Sequence, residues 1–103
     1  MMCLVTVRQI RPGSFDDFRA AWHPDPWLPQ LQRVEILRND EDPHQVTTIG
    51  YVDMTADELD AVRDAPEIME EEARRLERIA PYEERVIING VYELVEEVRP
   101  PSG

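Results

Sequence analysis

The chain has 103 residues, which suits one domain with one modest core and excludes two. Its 42% hydrophobic content argues against a disordered segment. Twenty-two acidic residues against eleven basic ones give a formal charge of −11, a surface that repels phosphate backbones and anionic bilayers, so neither nucleic acid nor membrane is expected as a partner.

Residues 3–10, Cys-Leu-Val-Thr-Val-Arg-Gln-Ile, are β-branched and apolar and predict the first strand, ended by Pro12-Gly13. Ser14 starts a helix, with Asp17 in the place of an acidic capping box. Phe15, Phe18 and Trp22 fall at i, i+3 and i+7, one helical face. Pro24, Pro26 and Pro29 cannot donate backbone hydrogen bonds, so residues 23–30 read as an ordered loop or a broken second turn. Residues 31–38 predict the second strand, with Val34 and Ile36 on one face and Leu37 on the other. Asn39 to Pro43 is turn chemistry, and residues 45–53 complete a hairpin.

Thr55 and Glu58 form a capping box for a second helix. Leu59, Val62, Met69, Ala73, Leu76 and Ala80 give its expected core stripe, and Pro66 kinks the helix or splits it in two. In residues 85–98, Asn89-Gly90 between two β-rich runs has the composition of a type I′ hairpin turn, and a single bulged strand is the other reading. The favoured reading makes Val91–Val98 the main fourth strand, with 85–88 accessory. The domain is expected to span 1–99, with 100–103 a frayed tail.

The order β-α-β-β-α-β predicts an α+β fold of the ferredoxin-like type, a four-stranded antiparallel sheet with two helices on one face. Two helices cover only one face, yet both faces are apolar: Cys3, Val5 and Val7 oppose Leu4 and Ile10, and Val46 and Val52 oppose Ile49 and Tyr51. An uncovered apolar sheet face calls for a second copy, so a homodimer is expected.

The element order, the Asp42-Pro43 turn and the late strand-three aromatic Tyr51 before a capped helix resemble the dimeric α+β barrels, specifically the antibiotic biosynthesis monooxygenase-like group, over residues 3–98. The resemblance implies a pocket between helices and sheet. It also implies a cofactor-independent oxygenase acting on a small planar aromatic metabolite, or a non-catalytic small-molecule-binding or assembly protein on the same dimeric barrel. The haem-degrading branch uses a strand-one Asn, a strand-three Trp and a helix-two His; this chain has none of these, which argues against haem degradation.

The most suggestive local feature is Trp22-His23-Pro24-Asp25-Pro26-Trp27. Trp22, Trp27 and Phe18 could wall an aromatic-ligand pocket, with His23 as acid/base and Tyr51 as hydrogen-bond donor. The competing reading makes the tryptophans core anchors and leaves His23 at the surface. No cofactor or metal is expected, because His23 and Asp25 are a sparse ligand pair and the chain has only three Cys or His residues. Glu70-Glu71-Glu72 reads as a solvated face. Cys3, the lone cysteine, reads as a buried apolar side chain, and with no signal-peptide pattern the expected compartment is cytoplasmic.

Overall fold

The computed structural model describes residues 1–101, so Ser102 and Gly103 of the expected frayed tail lie outside the described residues. Strands β1 (Met2–Ile10), β2 (Leu31–Arg38), β3 (Gln45–Val52) and β4 (Glu83–Glu93) form one antiparallel sheet in the order β2-β3-β1-β4. Helices α1 (Phe15–Trp22), α2 (Ala56–Arg63) and α3 (Pro66–Ile79) lie in a single layer on it. The result is a slab of 43 × 41 × 20 Å, one sheet and one helix layer thick.

Alternation within the strands decides what faces the helices. Met2 opposes Val52 and Arg8 opposes Val46 in the β1–β3 register, so even-numbered residues of both strands share the helix-covered face. Two core clusters form there. Ile10, Phe18, Trp22, Val46 and Ile79 make one, and Met2, Val52, Met54 and Leu59 make the other. The expected α1 stripe holds: Phe18 is fully buried and Trp22 nearly so.

The capping box at Thr55 is present in both directions. The Glu58 backbone N–H donates to Thr55 Oγ1 and the Thr55 N–H donates to the Glu58 carboxylate, each at 3.2 Å. Pro66 splits the second helical segment and sits at the first position of α3, where its missing N–H costs nothing. At α1 the expected cap is absent, because the Ser14 hydroxyl donates back to the Arg11 carbonyl at 2.6 Å.

Asn89-Gly90 is no turn: Asn89 pairs with Thr6 and Gly90 with Val5 inside one continuous strand, and neither residue has positive φ. β4 is the bulged alternative, with Ile87 and Glu84 as the extra residues. The segment 94–98 is not in the sheet, beyond the Leu94 N–H donating to the Met1 carbonyl at 3.0 Å.

The expected stripe of the second helical segment does not face the core along α3. Met69 and Leu76 are 55% and 46% exposed, and Ala73 and Ala80 are exposed too. Only Leu59 and Val62 of the expected stripe pack inward, both from α2. α3 instead turns Glu71, Arg75, Arg78 and Ile79 toward α1, the loop after it and the sheet. The physical reason is that acceptors and donors await those charges inside, as described next.

Phe18 fills the centre of the larger cluster, so Phe18→Ala is expected to cost about 3–5 kcal/mol. Urea denaturation of the two proteins checks this.

Candidate functional site

A seam of charge runs between the helix layer and the sheet. Arg8 enters it from β1 on the covered face and is buried. Its Nε donates to Glu83 Oε2 at 3.0 Å, its Nη1 to Thr48 Oγ1 at 3.4 Å, and its guanidinium lies 5.8 Å from the Phe18 ring centroid. Burial pulls the Arg8 pKa down, against the charge and hydrogen bond of Glu83.

Glu71 is the second anchor, and it is not the solvated residue that its acidic neighbours suggest. Its carboxylate is buried and accepts from the Asp25 backbone N–H at 3.0 Å, from Arg78 Nη2 at 3.1 Å and from Arg74 Nη2 at 3.3 Å. Burial works to raise its pKa. The Asp25 N–H, the Arg78 hydrogen bond and the charges of Arg78 and Arg74 outweigh that, and the carboxyl sits below the usual glutamate range. Arg78 also donates to the carbonyls of Ala21 at 3.0 Å and His23 at 3.1 Å, so α3 clamps both the end of α1 and the proline-rich loop.

Arg75 completes the seam. Its guanidinium lies 5.1 Å from the Trp22 ring centroid and is half-buried. Among the described residues no carboxylate stands within 4.0 Å of it. Burial lowers its pKa, against the more distant charges of Glu72 and Glu71 and reinforced by those of Arg8 and Arg78.

The structure brings only part of the expected site together. Phe18 and Trp22 both meet the seam, as core residues under arginine guanidinium groups. The His23 side chain is exposed, and only its backbone carbonyl joins the network. Trp27 is 48% exposed, with its indole N–H donating to the Leu31 carbonyl at 3.1 Å. Tyr51 stands on the opposite face of the sheet, because Cys3, its partner in register, is an odd-numbered residue of β1. There its hydroxyl donates to Glu35 Oε1 at 2.7 Å, and Arg33 lies 4.2 Å from its ring centroid. The hydrogen bond to Glu35, aided by burial, raises the Tyr51 pKa. One pocket therefore cannot be lined by Trp22, His23, Trp27 and Tyr51 together.

Two open hollows lie elsewhere. One of about 360 Å³ is rimmed by Met1, Met2 and Met54 with Asp53, Glu58 and Glu93. The other, about 250 Å³, lies between Phe15, Arg38 and His44. Neither includes an expected site residue. Arg8, Glu71 and Arg75 were missed in the sequence. The one available signal was a charged residue at an inward position of an otherwise apolar strand, Arg8 between Leu4 and Ile10.

No family model matches the chain, and no curated protein matches it. Solved structures do. A proposed antibiotic biosynthesis monooxygenase from Chloroflexus aurantiacus J-10-fl superposes with a TM-score of 0.68 at 13% identity, over 95% of this chain and 96% of that one. A protein of the same description from Bordetella bronchiseptica gives 0.66 at 13% identity, over 92% and 97%. An uncharacterized NIPSNAP domain protein from Burkholderia xenovorans gives 0.59 at 19% identity, over 99% and 100%. The fold is thus the ferredoxin-like α+β fold of the antibiotic biosynthesis monooxygenase-like proteins. At these identities the likeness speaks to fold and not to activity.

The Glu71 network predicts a pH dependence. A carboxyl whose folded pKa is depressed contributes stability above its unfolded pKa and loses it as pH falls through the folded one. The stability gap between the wild type and Glu71→Gln should therefore be full at neutral pH and shrink as pH drops below the ordinary glutamate range toward Glu71's lower value. Urea midpoints of both proteins from neutral to acid pH check this.

Proposed function

We propose that the protein works as a homodimer that takes a small planar aromatic metabolite, in the manner of a cofactor-independent oxygenase. The observation that carries the dimer is the uncovered sheet face. Cys3, Val5, Val7, Ile49, Tyr51, Ile88 and Tyr92 share it in register, and among the described residues no helix packs there. The accessible surface, 7100 Å², exceeds the roughly 6000 Å² expected of a compact monomer of this mass. Val95 and Val98, beyond β4, add exposed apolar side chains. A second copy removes this surface from water, and Tyr51 with its Glu35 and Arg33 partners then belongs to the interface.

The oxygenase part rests on the proteins that share the fold and on the aromatic seam of Phe18 and Trp22 under arginine. In such chemistry an electron-rich ring reacts with O₂ directly, and the protein contributes positioning and proton transfer. His23, exposed at the end of α1, is the proton carrier in this reading. A specific observation favours the second reading, a binding or assembly protein: Phe18 and Trp22 themselves occupy the space between α1 and the sheet.

Sedimentation velocity at micromolar concentration should show twice the chain mass of 12.0 kDa, and Ile49→Arg on the open face should shift the protein toward monomer. A wild type sedimenting at 12.0 kDa contradicts the dimer. An oxygen electrode separates the two functional readings. Faster O₂ uptake by 1,4-dihydroxynaphthalene with the protein than in buffer supports the oxygenase, and an unchanged rate supports the binding protein.

A further inference from the structure

We propose that Arg75 is a carboxylate-recognition residue, so that the aromatic metabolite of the reading above, on which this inference rests, is an aromatic acid. Every other arginine of the seam is already matched. Arg8 is paired with Glu83 at 3.0 Å, and Arg78 and Arg74 share Glu71 at 3.1 and 3.3 Å. Arg75 has no such partner among the described residues, although it is half-buried and stacked on Trp22.

A guanidinium presents five N–H donors in a planar fork and accepts nothing. Packed against an indole and partly withdrawn from water, it gains most from a planar acceptor of matching geometry, which a carboxylate supplies through two parallel hydrogen bonds. Glu72 and Glu71 act on Arg75 more strongly than Arg8 and Arg78 do, but from beyond 4.0 Å, so among the described residues no carboxylate occupies its fork. The overall charge of −11 opposes an approaching anion, but salt screens the part of it that lies beyond about 8 Å. Apolar surface for the ring is the exposed Val86 of the edge strand β4, which stands beside Arg8 in register on the covered face.

The test uses 1-hydroxy-2-naphthoate and its methyl ester, which share a ring and differ in charge. Calorimetric titration of the wild type should show the acid binding at least about tenfold more tightly than the ester, the scale of a hydrogen bond to a charged group. Arg75→Gln should erase that preference and Arg75→Lys should keep part of it, with circular dichroism confirming the fold. Should Arg75→Gln fail to fold, the acid-to-ester ratio in the wild type still decides. Equal binding of acid and ester, or an unchanged preference in Arg75→Gln, overturns the carboxylate role and leaves the aromatic-metabolite reading standing. Binding of neither compound overturns both.

Discussion

The inner surface of this protein is organised around a buried carboxylate. Glu71 lies on α3 and takes three donors, the Asp25 N–H from the loop after α1 and the Arg74 and Arg78 guanidinium groups from α3 itself. An uncompensated buried charge is strongly destabilising, whereas a fully hydrogen-bonded one fixes geometry. Satisfying Glu71 therefore sets the rotation of α3. Once that rotation is set, Arg78 reaches the carbonyls of Ala21 and His23, and Arg75 comes to rest over Trp22. Arg8 and Glu83 continue the pattern across β1 and β4.

The same rotation explains what lies outside. With charge turned inward, Met69, Ala73, Leu76 and Ala80 point away from the core, and the monomer shows apolar surface on its helix layer as well as on its open sheet face. A slab one sheet and one helix layer thick has no other place for these side chains. The core is correspondingly small. Two clusters of five and four buried residues flank the covered face, and the aromatic weight of α1 goes into packing and leaves little for a cavity.

Much of the fold was legible because it depends on local rules. The alternation in β1 and β3, the Phe15/Phe18/Trp22 stripe, the Thr55–Glu58 box and the splitting action of Pro66 all follow from spacing and backbone chemistry. The misreadings came where tertiary contacts override local preference. Asn89-Gly90 has turn composition, yet β1 offers a full ladder of partners and the bulges at Ile87 and Glu84 absorb the mismatch. The stripe through Met69 and Leu76 has good helical period, but period alone does not say which of two stripes faces in. Glu71 looked solvated among its acidic neighbours, and its donors come from residues 25, 74 and 78, one of them 46 positions away. Strand alternation does place Tyr51 on the face opposite Val46 and Val52, and that face separates it from Trp22.

Glu71 and Arg78 together hold α3 with its charged face inward, through the Asp25 N–H and the carbonyls of Ala21 and His23. A double-mutant cycle with Glu71→Gln and Arg78→Met, followed by urea denaturation at neutral pH, tests it most directly. A favourable coupling of at least about 1 kcal/mol is expected, as residues within one buried network show. Additive effects, with a coupling near zero, would contradict it.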